Sequence, residues 1–138
     1  MMTRLRNERG AALLETAVTL PLILLISVAI FEFGRAYQVQ QVLTNAAREG
    51  ARVAVLPDYT DEQVIEIVRS YMTSGGLAPV DPVIVSDVAV GPATASRVTI
   101  NYPFNFIVLN PVARLVRPAA TVGSGTLNMQ ASALMRNE

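Results

Sequence analysis

The hydrophobic pattern of the chain opens with one long apolar run. From Ala11 to Phe33 only two residues are charged, Glu15 near one end and Glu32 near the other. As an α-helix this run would be about 34 Å long, which is enough to cross a hydrocarbon core of about 30 Å. Residues 11–33 are therefore predicted to cross a membrane once.

The apolar pattern continues beyond the predicted crossing, but on one face of the helix only. Hydrophobic residues recur there at spacings of three and four, which is typical of an amphipathic helix. The predicted inner face comprises Val39, Val42, Leu43, Ala46, Ala47, Gly50, Val53 and Ala54. Residues 34–56 should thus continue the same helix over 11–56, and Pro57 should end it. Pro21 lies inside the apolar half, where its missing amide should bend or locally open the helix.

A second, shorter helix is predicted near the start of the remaining domain, residues 57–138. Thr60 is the expected N-cap, Gln63 occupies the reciprocal capping position, and Ser74-Gly75-Gly76 should end the helix. Its predicted apolar face comprises Val64, Ile65, Val68, Tyr71 and Met72.

Beyond Pro82 the hydrophobic period falls from about 3.6 to two, which is typical of strands with one apolar face. The predicted strands are Val83 to Val90, a strand around Val98 to Tyr102, and a strand around Leu127 to Ala133, with the first two joined through Gly91-Pro92 to Ser96. They should form an antiparallel sheet covered by the amphipathic half of the long helix. The predicted fold class is α+β, pilin-like, with one long helix, one short helix and about three strands.

The segment between Tyr102 and Thr126 is too long for an ordinary connection. Its apolar residues include Phe104, Phe106, Ile107, Val108 and Leu109. A short helix opening at Asn110-Pro111 and containing Leu115 and Val116 is also compatible with the pattern. The apolar residues either seal the domain core or face neighbouring subunits or the membrane, and the pattern leaves both open.

Composition removes several classes of function. Eleven basic residues balance eleven acidic ones, so the chain lacks the basic excess typical of nucleic-acid binding. It contains no cysteine and no histidine, which excludes thiol nucleophiles, imidazole bases and the commonest zinc ligands. The acidic residues around the short helix, Asp58, Asp61, Glu62 and Glu66, suit a helix N-terminus. We therefore expect no catalytic residues, no cofactor and no metal site.

Residues 1–10 form a short basic leader that should stay on the cytoplasmic side of a membrane. Three interpretations of the leader and the apolar run compete. A signal peptidase could cut after the small-x-small triplet Ser27-Val28-Ala29. Alternatively, the segment is an uncleaved anchor and Glu15 lies near the interface. In the third interpretation, Glu15 has a functional role within the apolar segment.

In the third interpretation, Gly10 followed by AALLE resembles the leader of type IV pilins and their pseudopilin relatives. The resemblance implies that a prepilin peptidase cuts between Gly10 and Ala11 and leaves the apolar helix in place. Glu15 would then be the fifth mature residue and a subunit-docking group, since its carboxylate can offset the burial of a neighbour's new ammonium. A simpler role remains open, because an acidic residue in a first helical turn favours the helix dipole.

A second motif makes the resemblance more specific. The stretch EFGRAYQVQQVLTNAAREGAR, residues 32–52, and the closing Met135-Arg136 resemble TadE-like proteins. This family implies a pseudopilin or minor pilin of a tight-adherence pilus, a structural protein and no enzyme. The residues expected to pack between apolar helices are Leu13, Leu14, Leu20, Pro21, Ile23 and Leu24.

The resemblance also implies partners and a location. The expected partners are a prepilin peptidase, other pilin and pseudopilin subunits, the inner-membrane pilus assembly machinery and membrane lipid, with no nucleic acid. The chain should cross the inner membrane once, hold its C-terminal domain outside the cytoplasm, and then join a pilus at the cell surface. An uncleaved assembly protein that stays in the inner membrane is the alternative. A secreted hydrolase or binding domain would need a convergent polar site, for which the sequence gives no sign.

Overall fold

A computed structural model describes residues 3–108, 111 and 126–137, with side chains described from Gly10 onward. These residues form two helices and one three-stranded sheet. The elements are α1 (Thr3–Ala54), α2 (Asp61–Ser74), β1 (Val83–Val90), β2 (Ala93–Phe104) and β3 (Leu127–Arg136). The predicted α+β class is confirmed.

Helix α1 is one continuous helix of 52 residues. It begins at Thr3, so the described part of the basic leader is helical as well, and it ends at Ala54, two residues earlier than expected. At Pro21 a bend or a local opening was expected; the opening is wrong, because α-helix continues on both sides of this residue, and the bend stays a prediction. The φ that proline imposes, about −65°, is itself helical, so the helix can stay continuous when a single amide donor is lost.

Helix α2 begins with the predicted capping box. The Gln63 amide donates to the Thr60 hydroxyl at 3.4 Å, and the Thr60 amide donates to the Gln63 side chain at 2.9 Å. Val64, Val68 and Met72 form the buried face. Tyr71 was expected on this face and is instead 39% exposed.

The sheet is antiparallel, with strand order β1-β2-β3 as expected. Strand β2 begins at Ala93, so the connection expected over Gly91 to Ser96 is too long, because Gly91 and Pro92 alone make the turn. Gly91 has a φ of 59°, a left-handed conformation that glycine adopts without steric cost. The register of β1 shifts between Val85 and Val88, which marks a β-bulge in this edge strand.

The core lies where the second half of α1 and the buried face of α2 meet the inner face of the sheet. From α1 it takes Leu43, Ala46, Ala47 and Ala51, and from the sheet Val98, Ile100, Phe104 and Ala131, all at most 5% exposed. The prediction that the amphipathic half of the long helix covers the sheet is therefore confirmed.

The residues after β2 divide between the core and the surface. Phe104 is buried and Phe106 packs against the core, so these two confirm the core interpretation of the segment. Ile107 is 62% exposed, so it does not belong to the core. Leu109 and the expected short helix at Asn110, Leu115 and Val116 lie outside the described residues.

Candidate functional site

The first half of α1 has an apolar surface that the other described residues do not cover. The helix is long and apolar enough to cross a membrane, and none of its most apolar window is buried. Five of the six predicted packing residues, Leu13, Leu14, Leu20, Ile23 and Leu24, are more than half exposed, and Pro21 is exposed as well. An apolar surface of this size requires lipid or another protein against it.

The hydroxyl side chains of this apolar half donate their hydrogen bonds within the helix itself. The hydroxyls of Thr16, Thr19 and Ser27 each donate to the carbonyl oxygen four residues earlier, at 2.8–2.9 Å. Such groups can enter surroundings without water, where every polar group needs an internal partner. Glu15 differs, because among the described residues its exposed carboxylate has no hydrogen-bond or ion-pair partner.

The predicted cleavage residues lie on the same helix, away from the domain. Gly10 and Ala11 are both exposed, and a Cβ added at Gly10 would meet no atom within 4 Å. The fold itself therefore does not require glycine at this position. Gly10, Ala11 and Glu15 lie within two helical turns of one another.

A buried ion pair joins α1 to the segment that follows β2. Glu32 is completely buried, and its carboxylate accepts a hydrogen bond from the Val108 amide at 2.6 Å. Arg35, one turn further along α1, donates to Glu32 at 3.1 Å and to the Asn105 carbonyl oxygen.

Aromatic contacts complete this cluster. The Arg35 guanidinium lies 4.2 Å from the centroid of the Phe104 ring, a favourable cation–π distance. Phe106 packs edge-on against Phe104, with the ring centroids 5.3 Å apart. We call Glu32, Arg35 and the segment 105–108 the clamp. No sequence pattern indicates the clamp, since a Glu and an Arg three residues apart on a helix are usually an ordinary surface pair.

The second half of the EFGR…NAAREGAR stretch packs against the domain on one face and is exposed to solvent on the other. Ala46, Ala47 and Gly50 are buried against α2 and the sheet. Glu49 and Arg52 face outward and form an ion pair, with the Arg52 Nη2 2.5 Å from the Glu49 carboxylate. The Arg52 guanidinium holds the pKa of Glu49 below its ordinary value.

Together, the fold and this surface define an α+β protein with one N-terminal helix that can span a membrane. A family model described as TadE-like protein matches residues 10–52, which confirms the resemblance to that family over the long helix. The expected extension to Met135-Arg136 lies beyond the matched residues. No curated protein and no solved structure matches the chain. The family match and the apolar helix fit a pilus-related protein.

Proposed function

We propose that this chain is a pseudopilin or minor pilin of a tight-adherence pilus. A prepilin peptidase cuts it between Gly10 and Ala11, and the apolar half of α1 then packs among the helices of other subunits. The observation that carries this proposal is the exposed apolar helix inside the stretch that matches the TadE-like family, together with Glu15, whose carboxylate has no partner among the described residues.

In this proposal Glu15 sets the register between neighbouring subunits. Cleavage creates an ammonium group on Ala11, which is costly to bury among apolar helices unless it is paired. Glu15 lies four residues further along, about 6 Å along the helix axis. If the carboxylate of one subunit pairs with the ammonium of its neighbour, the two helices are offset by about this distance. Other offsets leave both charges unpaired.

In this proposal the chain lies first in the inner membrane and then in the pilus. Before assembly the chain crosses the inner membrane once, with its α+β domain outside the cytoplasm and membrane lipid around Leu13 to Phe31. The assembly machinery of the inner membrane then transfers it to other pilin and pseudopilin subunits. Its role is structural, and it needs no catalytic residue, cofactor or metal.

Mass spectrometry of the mature N-terminus tests the cleavage step. We expect the chain recovered from the membrane or from fibres to begin at Ala11. A chain that begins at Met1 or Met2 would instead indicate an uncleaved assembly protein, an alternative that the unbroken helix through Gly10 also allows. A chain that begins at Ile30 would show cleavage by signal peptidase. The mature protein would then lack the apolar half of α1, and the proposal would be wrong.

The variant Glu15→Arg tests the docking step. We expect it to be cleaved and to reach the membrane but to be absent from fibres, because a second positive charge would then face the Ala11 ammonium. Immunodetection in membrane and sheared-fibre fractions measures both quantities. Glu62→Arg, at an exposed position on α2, makes the same change in net charge and should assemble normally. Normal assembly of Glu15→Arg would show that the docking role is wrong.

A further inference from the structure

The α+β domain extends along α1 into the segment expected to lie in the membrane. Val28 and Ala29 are already partly covered, and Glu32 is completely buried by the clamp. A hydrocarbon core of about 30 Å needs about 20 helical residues, which end at Ile30 when counted from Ala11. With this count, the edge of the domain lies level with the end of the hydrocarbon core on the side of the inner membrane that faces away from the cytoplasm. Counting from a residue after Glu15 would put the boundary further into the domain.

The part of the domain at this level presents apolar side chains outward. Ile107, at the tip of the clamp segment 105–108, is 62% exposed, although Phe106 beside it packs against the core. On α1, Phe31 and Phe33 flank Glu32 and are 64% and 67% exposed. Tyr37 follows further from the membrane, in the position where an aromatic ring with a hydroxyl suits the headgroup region.

Two backbone groups of the clamp segment have hydrogen-bond partners on α1. A loop at a membrane surface is costly when its amide and carbonyl groups lose water without gaining partners. Here the Glu32 carboxylate accepts the Val108 amide at 2.6 Å, and Arg35 donates to the Asn105 carbonyl oxygen. Because the pair on α1 replaces water for this segment, Ile107 can leave water at a reduced cost.

We propose that the clamp segment is a second membrane contact, in which Ile107 inserts among the lipid acyl chains beside Phe31. The proposed occupant of this surface is lipid because the surface is continuous with the apolar helix at the level where the bilayer ends. Before assembly, this contact would fix the distance of the domain from the inner membrane and its rotation about the axis of α1, on the side facing away from the cytoplasm. This inference rests on the membrane anchor of the proposed function.

Tryptophan fluorescence in the full-length chain tests this inference, because the chain contains no tryptophan of its own. Single variants Ile107→Trp, Phe31→Trp and Leu56→Trp are placed in vesicles of phosphatidylethanolamine and phosphatidylglycerol. Part of the lipid carries bromine near the headgroup end of its acyl chains. All three positions are exposed, so the larger ring needs no repacking of the core. We expect Ile107→Trp to be quenched about as strongly as Phe31→Trp, and Leu56→Trp, past the far end of α1, to be unquenched.

Other outcomes separate the docking from the anchor. If Phe31→Trp is quenched and Ile107→Trp behaves like Leu56→Trp, the docking is wrong and the anchor stands. If Ile107→Trp shows blue-shifted emission without quenching, protein covers this position, for example a second copy of the chain, and the docking on lipid is again wrong. If neither Phe31→Trp nor Ile107→Trp is quenched, the anchor and the docking both fail.

Discussion

Glu32→Ala should lower the free energy of unfolding of the α+β domain by about 3 kcal/mol or more. The change removes a completely buried carboxylate that accepts the Val108 amide and pairs with Arg35, so it leaves this amide and a partly buried guanidinium without this acceptor. Thermal unfolding in detergent micelles measures the effect. For a small domain we expect the Tm to fall by roughly 12 °C or more.

Glu49→Ala is the matched control for this variant. Glu49 also pairs with an Arg three residues later on α1, but both of these side chains are substantially exposed. Exposed ion pairs contribute about 1 kcal/mol or less, so this variant should change the Tm only slightly. Equal losses for the two variants would show that the burial of Glu32 does not matter to stability.

The double variant Glu32→Leu with Arg35→Met separates the charge from the packing. Replacing both members of a buried ion pair with apolar residues is often far less costly than removing one. We therefore expect the double variant to be more stable than Glu32→Ala. Because residues in contact do not contribute additively, the difference measures the coupling between the two positions.

The elements of this fold were predictable because each leaves a local signal. The change of hydrophobic period marked where helix gives way to sheet, and Thr60 with Gln63 marked the start of α2 through bonds only three residues apart. The buried face of α1 was also visible as spacing. These features depend on neighbours in the chain, and for this reason they are readable without the structure.

The clamp was not predictable, because its partners lie far apart in the chain. Glu32 meets the amide of a residue 76 positions later, and no periodicity encodes this contact. The exposure of Ile107 beside the packed Phe106 has the same origin, since it depends on how the segment after β2 meets α1. Tyr71 shows the opposite error: its spacing fits the apolar face of α2, but the neighbouring elements do not cover it.

The stretch that matches the TadE-like family has two separate physical roles in this structure. Its first part, residues 10–31, is exposed over most of its length and is available to lipid or other subunits. Its second part, residues 32–52, holds α1 against the domain through the clamp and through small buried residues. The EFGR and NAAREGAR motifs are therefore explained by the fold of one chain, whereas Glu15 is not.

Gly50→Leu should destabilise the domain by about 3 kcal/mol, at the upper end of the range for overpacked cores. A Cβ at Gly50 would already lie 2.6 Å from a methyl group of Val68 and 3.2 Å from one of Val98. Both valines are fully buried, and β-branched side chains have little rotameric freedom to move away. The leucine would push α1 from α2 and from the sheet together, which a fall in Tm in detergent micelles measures.

Gly34→Leu gives the opposite expectation on the same helix. A Cβ at Gly34 meets no atom within 4 Å, so the substitution should stabilise the helix by up to about 1 kcal/mol through propensity alone. For Gly50→Ala we expect a change in the free energy of unfolding between those of these two variants. A similar gain in helix propensity opposes an overpacking cost of about 1–3 kcal/mol. A net loss of stability in Gly50→Ala would mean that Val68 cannot give way. If Gly50→Leu and Gly34→Leu had equal Tm values, close packing would not be the reason for glycine at position 50.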